Sequence, residues 1–235
     1  MTLRERDVRL RELMDDPACD PDRLRATLRR FDTVNRLISG WDTVYRRHLR
    51  PLLESLGRPA RVLDLGCGGG DVVVRLARLA HADGFDVSWL GVDPDPRALE
   101  VAGERRGSGV EFRSTDSATL VREGARFDVV LSNHVLHHLA ADELTSFTTD
   151  SLALSAGLVL HADIERSRTA YALYAVGITP LAPGTFLRTD GLRSIRRSYR
   201  SDELAAALPG WRVERPVPFR VLAVAAGAAA GSRSS

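Results

Sequence analysis

The feature that most constrains this chain is a glycine-rich loop closing a short apolar run, Val62-Leu63-Asp64-Leu65-Gly66-Cys67-Gly68-Gly69-Gly70-Asp71. An apolar strand stopped by glycines allows a tight turn and close approach of backbone to a ligand. The helix that follows at once aims its free N–H groups at the same point. A dinucleotide fingerprint wants a third glycine or alanine where Asp71 stands. Asp64, two places before the first glycine, suits a ligand with an ammonium group, and an aspartate at each end of the loop disfavours a pyrophosphate.

From Arg61 onward short apolar runs alternate with helical segments. Strands are predicted over 62–65, 87–92, 110–113, 127–131 and 158–161, with two more over 211–213 and 220–223. Helices over 71–81 and 96–105 separate the first of them. Strands alternating with helices imply parallel pairing and an α/β doubly wound sheet. In such sheets ligands bind beyond the carboxyl ends of the strands, where the strand order reverses. The first sixty residues read as helices. Leu3, Leu10 and Leu13 recur at helical spacing, and a second stripe runs through Leu24, Leu28, Phe31, Val34 and Leu37. Asp20 and Pro21 supply a cap and a first helical residue, Gly40 a stop, and Trp41 to Leu56 a third helix.

Composition removes several classes of function. The net charge is +2, and no strongly charged partner is implied. The arginines of the N-terminal helices are balanced by acids, with few aromatics among them, so no nucleic-acid partner is expected. No run reaches the ~18 apolar residues that span a bilayer. Cys19 and Cys67 cannot form a disulfide framework, and a reducing cytoplasm is expected. The basic residues are all arginine, a bias of GC-rich, bacterial genomes.

Later segments extend the loop into a series. Leu90-Gly91-Val92-Asp93, followed by Pro94, ends the second strand on an acid. Phe112-Arg113-Ser114-Thr115-Asp116-Ser117 ends the third. Phe127 to His134, including Asn133, ends the fourth. Together with the loop, these segments resemble motifs of the class I S-adenosylmethionine (SAM)-dependent methyltransferases, over about residues 61–163. The resemblance implies a Rossmann-like, seven-stranded, mostly parallel sheet with an N-terminal helical lid. It implies SAM binding by Asp64, Gly66, Cys67, Gly68, Asp93, Pro94, Asp116, Ser117 and Asn133, with Asp93 on the ribose hydroxyls and Asp116 near the adenine. Asp116 also reads as a helix cap. Phe31-Asp32-Thr33-Val34-Asn35-Arg36-Leu37-Ile38-Ser39 resembles the Asp-x-x-Asn-x-x-x-Ser helix of ubiquinone/menaquinone-type members, which helps cover the cofactor. Thr189-Asp190-Gly191 and the arginines after it resemble small methyltransferases associated with bacterial type III polyketide synthases. Thr189 stands where many of those have histidine, which weakens a catalytic base there.

The expected organisation is a helical cap over 1–60, a SAM-binding domain over 61–226 with a substrate lid at about 165–200, and a disordered tail over 227–235. The partner is a small-molecule acceptor, and the chain a monomer or homodimer.

Methyl transfer is an in-line displacement at a sulfonium carbon, so the protein must mainly align the nucleophile and exclude water. A phenol or enol must also lose a proton. His134, His137 and His138 lie nearest the expected methyl donor, and His134 stands first among them as general base. Each also reads as a packing or cofactor-contacting residue. His134 and His138 are four apart and could share a helical face, with His137 pointing elsewhere. Three histidines so close cannot all converge on one ion, and no Cys or carboxylate pair accompanies them at metal spacing, so no metal is expected. Asp163, facing the same way as His161, could reach substrate. Arg193 and Arg197, with Arg196 and Arg200, could hold a substrate carboxylate or phosphate, or form a solvated face. Tyr171, Tyr174, Phe186 and Tyr199 could sandwich an aromatic ring or simply pack.

The expected activity is O-methylation of a phenolic or quinone-like polyketide. Alternatives are C-methylation of a quinone-like acceptor, a nicotinamide-binding oxidoreductase, and a non-catalytic SAM-binding module. Asn133-His134-Val135-Leu136 lacks the Asn/Asp-Pro-Pro-Tyr of amino-methylating enzymes of DNA and some proteins.

Overall fold

The computed structural model describes residues 3–105 and 109–228. Its strands are β1 (Ala60–Leu65), β2 (Val87–Asp93), β3 (Val110–Ser114), β4 (Phe127–Asn133), β5 (Ser155–Ile164), β6 (Arg212–Glu214) and β7 (Arg220–Ala226). They form one seven-stranded sheet in the order β3-β2-β1-β4-β5-β7-β6. Pairing is parallel from β3 through β5. Strand β7 runs antiparallel to both β5 and β6. The predicted doubly wound architecture is therefore present. The order reverses at β1, between β2 and β4, and opens a crevice beyond the carboxyl ends of β1 and β4.

The helices before the sheet are α1 (Pro21–Ile38), α2 (Trp41–Val44) and α3 (Arg50–Leu56), with a π turn (Tyr45–Leu49) joining the last two. Between strands lie α4 (Asp71–Ala82), α5 (Pro96–Gly103), α6 (Ser117–Arg122) and α7 (Ala141–Leu154). After β5 come α8 (Arg168–Gly177), α9 (Leu187–Arg197) and α10 (Ser201–Ala207). Helix α1 starts as its sequence dictates: the Asp20 carboxylate accepts from the N–H groups of Asp22 and Arg23, with Pro21 at the first position. Trp41, Val44 and Leu49 pack on one sheet face, against Val62, Val129 and Leu160. Leu120 and Leu154 pack on the other, against Leu63, Val130 and Val159. Burial of both faces explains the near-continuous apolar runs of β1 and β4.

The helix expected around Leu3, Leu10 and Leu13 does not form. Residues 3–20 run as an irregular strap over the carboxyl end of the sheet. Apart from a few turn bonds, such as Cys19 N–H to the Asp16 carbonyl, their polar groups bond to other elements. The Leu13 and Met14 N–H groups each donate to Asp190 at 2.9 Å. The Asp7 N–H donates to the Arg196 carbonyl. Arg6 donates to the carbonyls of His137, Leu139 and Arg197. Three leucines give too narrow an apolar stripe to outweigh these partners. Strands β4 and β5 extend past their predicted ends because the polar residues there have buried partners. No described helix is long and apolar enough to cross a membrane. Of the tail expected at 227–235, residues 229–235 lie outside the described residues.

Candidate functional site

A cavity of about 1020 Å³ opens at the reversal of strand order. The loop from β1 to α4 forms one wall. Gly66, Gly68 and Gly70 adopt φ of 70°, 54° and 74°, the left-handed region that costs an L side chain about 1–2 kcal/mol. A Cβ on Gly70 would meet the Phe112 ring at 2.6 Å. Asp93, at the end of β2, accepts from the Gly68 N–H and the Asp95 N–H at 2.9 Å each, pinning the loop to the neighbouring strand.

Every residue expected to meet a cofactor lines this cavity: Asp64, Gly66, Cys67, Gly68, Asp93, Pro94, Asp116, Ser117 and Asn133. Asp64 is 1% exposed, and its Oδ1 has no hydrogen-bond partner. Burial, reinforced by the nearby Asp71 and Asp93 carboxylates, pushes its pKa well above the usual range. A second buried acceptor without a partner, Asn35 Oδ1, faces the same cavity from α1. The amide nitrogen of Asn35 donates to Asp71 at 2.9 Å, tying α1 to the start of α4. Two unpaired acceptors at one end fit an ammonium group. Asp116 also performs the capping role, accepting from the Thr119 N–H at 2.8 Å. The Ser117 hydroxyl donates to Asp150.

His134, His137 and His138 line the same cavity. They do not share a helical face. His134 has φ 63°, and Leu136–His138 form a single 3₁₀ turn. His137, expected to point elsewhere, lies with its ring 6.2 Å from that of His134 and 4.2 Å from that of His138. Its Nδ1 is 2.7 Å from Asp163 and its Nε2 3.2 Å from Glu12. Burial lowers its pKa, but the Asp163 and Glu12 carboxylates outweigh burial and raise it to about 9. Burial, then the adjacent guanidinium of Arg220, pushes His134 well below its ordinary value. The neutral imidazole accepts from Arg220 Nη1 at Nε2, and Arg220 Nη2 donates to Asn133 at 2.8 Å.

Three substrate-binding expectations are corrected. Asp163 is 1% exposed and does not line the cavity; both its oxygens are bonded to His137. Arg197 donates to the carbonyls of His137 and His138. Arg193 donates to the Arg11 carbonyl of the strap. The two guanidiniums satisfy backbone acceptors of irregular segments, so neither faces a ligand. His161 is fully buried between Phe147 and Trp211, bonded to Ser132 and lowered to about 3 by burial. Of the lid aromatics, Tyr174 lines the cavity, its hydroxyl held by the Leu187 carbonyl. Phe186 packs on Leu24 and Leu28, and Tyr199 lies under Arg6.

Sequence reasoning missed Glu12 and Arg220. Glu12 lies 125 residues from His137 in a segment read as a helix. Arg220 opens an apolar strand with no motif around it.

Residues 62–154 match a family model described as a methyltransferase domain. The chain is 31% identical over 151 residues to a ubiquinone biosynthesis O-methyltransferase of Brucella anthropi, covering 63% of this chain and 57% of the relative. It is 37% identical over 121 residues to one from Cereibacter sphaeroides, covering 50% of this chain and 46% of the relative. The chain thus spans about half the length of these curated relatives. Similar solved structures include the CurJ carbon methyltransferase, with a TM-score of 0.63, 17% identity and coverage of 89% of this chain and 61% of that one. The plantazolicin methyltransferase BpumL in complex with S-adenosylhomocysteine (SAH) has a TM-score of 0.57 at 12% identity, covering 87% and 96%. At these identities the likeness is one of fold.

Proposed function

We propose, for a chain that carries the fold of the class I SAM-dependent methyltransferases, transfer of a methyl group from SAM to a hydroxyl oxygen of a small, largely apolar acceptor of phenolic or quinone-like character. One observation carries this reading: a single cavity joins the unpaired acceptors Asp64 and Asn35 to the histidines through apolar walls. Its volume, about 1020 Å³, is at the top of the range for one small ligand and accommodates two. The ubiquinone biosynthesis O-methyltransferase relatives support an oxygen acceptor.

SAM, when bound, supplies a methyl group on a sulfonium leaving group. Asp64 and Asn35 would hold its ammonium group, Asp93 its ribose hydroxyls, and Asp116 and Ser117 its adenine. The acceptor lies between Phe31, Val34, Tyr174, Ile178 and Leu187. Leu37, Ile38 and Leu173 line the cavity and stay 71%, 47% and 59% exposed, so its mouth admits an apolar molecule. A phenol with a pKa of about 10 is mostly protonated at neutral pH. Its hydroxyl meets Glu12, His137 and His138, where its proton is lost. His134 is not the base, because its Nε2 lone pair is occupied by Arg220. It positions Asn133 and the end of β4 instead.

The test is incubation with SAM and a panel of hydroxylated quinols, catechols and aromatic polyketides. The expected result is a product one methylene heavier with the new group on oxygen, and SAH in equal amount. Methylation only at carbon, or no turnover across the panel despite SAM binding, would overturn the proposal.

A further inference from the structure

The polar end of the cavity has the ligand arrangement of a metal site. One ligand atom each from Glu12, His137 and His138 lies within 4.8 Å of the other two. Glu12 Oε1 is 3.2 Å from His137 Nε2 and 3.8 Å from His138 Nε2. Ligands bonded at about 2.0–2.2 Å in a tetrahedron stand about 3.3–3.6 Å apart, so these separations need little adjustment. Both rings are held from behind. His137 Nδ1 is 2.7 Å from Asp163, and His138 Nδ1 is 3.2 Å from Asp15. Each outer carboxylate takes an Nδ1–H, so a bound ion would displace only the Nε2 proton that His137 turns toward Glu12. Metal-ligating histidines have this same outer support. The Ser194 hydroxyl donates to Glu12 at 2.7 Å and orients it.

Charge points the same way. Three carboxylates, from Glu12, Asp15 and Asp163, surround two imidazoles. Arg197 Nη1 is 3.7 Å from Asp15, but the hydrogen bonds that Arg6 and Arg197 make at this end go to backbone carbonyls. A structural latch needs Glu12 and His137 only. It does not account for His138, whose Nε2 is aimed at the same carboxylate oxygen without a hydrogen bond, on a side chain 30% exposed.

We infer that Glu12, His137 and His138 form a binding site for a divalent transition metal of the zinc class, open toward the acceptor. Two imidazoles and one carboxylate suit Zn²⁺ or a similar first-row ion, whereas Mg²⁺ and Ca²⁺ prefer oxygen ligands alone. With three protein ligands, a position is left for the acceptor oxygen. The ion would act as a Lewis acid, favouring loss of the hydroxyl proton to solvent and holding the oxyanion for attack on the methyl group. This role, though not the site itself, rests on the O-methyltransferase reading above.

The test uses full-length, tag-free protein stripped with a chelator and titrated with Co²⁺ and Zn²⁺. The expected result is one equivalent bound, with visible Co²⁺ absorption bands of a low-coordinate site. Glu12→Gln and His138→Ala lose the bands. Asp15→Asn weakens binding about 10–100-fold, as loss of an outer-shell partner does. His81→Ala, a surface histidine, binds as wild type does. Melting curves establish that each variant folds; should His138→Ala fail to fold, Asp15→Asn carries the test. Absence of stoichiometric binding, or binding that persists unchanged in Glu12→Gln and Asp15→Asn, would overturn the site. Thermal shifts with SAH on the same metal-free samples keep the two readings separate. A shift without metal binding removes the metal alone, and metal binding without a shift removes the methyltransferase role alone.

Discussion

Asp163 holds His137 twice, accepting from its backbone N–H at 2.8 Å and facing its Nδ1 at 2.7 Å. The two residues are each 1% exposed, on β5 and on the turn after β4. This pairing fixes the polar end of the cavity to the sheet, and through Glu12 it reaches the strap.

Replacing Asp163 by Asn leaves a buried imidazole with one carboxylate partner instead of two. Removing one member of a buried ion pair costs about 3–5 kcal/mol. Urea denaturation should show a loss in that range, and a loss under about 1 kcal/mol would mean that the pair contributes little.

Asp64 is a buried carboxylate with one unpaired oxygen. Its folded pKa is raised, so the native state binds more protons than the unfolded chain above about pH 4, the ordinary carboxylate value. Its contribution is therefore most favourable below that pH and is lost as pH rises toward the folded pKa. Asp64→Asn should remove that decline, making the ligand-free protein more stable than wild type at neutral pH. It should also weaken SAH binding by about 10–100-fold, the equivalent of one charge-assisted hydrogen bond. Denaturation curves across pH and calorimetric titration with SAH check both.

Asp190 satisfies two N–H groups of the strap, from Leu13 and Met14. Asp190→Ala should speed hydrogen exchange at both amides and raise the KM for the acceptor more than it lowers kcat. The expected cost in stability is about 1 kcal/mol, at the low end for donors left unpaired, because both amides are only part-buried. Unchanged exchange would show that the strap is held by its arginines alone.

Gly191 lies inside α9 where a Cβ would stand 2.2 Å from the Tyr174 hydroxyl oxygen and 2.4 Å from a ring carbon. Gly191→Ala should displace Tyr174 from the cavity wall and break its bond to the Leu187 carbonyl. Overpacking of this kind costs about 1–3 kcal/mol. A melting temperature equal to wild type would contradict the close packing of α8 on α9.

The sheet was legible because short apolar runs, glycine punctuation and helical stripes agree from Ala60 to Ala226. The glycine-loop side of the cavity was legible for the same reason: Asp64, Asp93 and Asp116 each sit near a strand end that local pattern locates, and all three line the cavity. The histidine side was not. Its polar residues come from the strap (Glu12, Asp15), the turn after β4 (His137, His138), β5 (Asp163) and the start of β7 (Arg220), and no spacing in the chain relates them. The strap misread as a helix is the sharpest case. Leu3, Leu10 and Leu13 keep helical spacing, while the hydrogen bonds that set its path are made with α9 and the β4 turn. Arg193 and Arg197 were misassigned because a sequence shows a guanidinium but not the carbonyls, of the strap and of the 3₁₀ turn, that it will meet.

The central claim is that the glycine loop and Asp93 bind SAM rather than a nicotinamide dinucleotide. Its most direct test is a thermal shift on wild type and Asp93→Ala with SAH and with NAD⁺. At about 100 times its dissociation constant a ligand adds roughly 2.7 kcal/mol of stability. The account predicts stabilisation of wild type by SAH alone, lost in Asp93→Ala. Stabilisation by NAD⁺ with no response to SAH would contradict it.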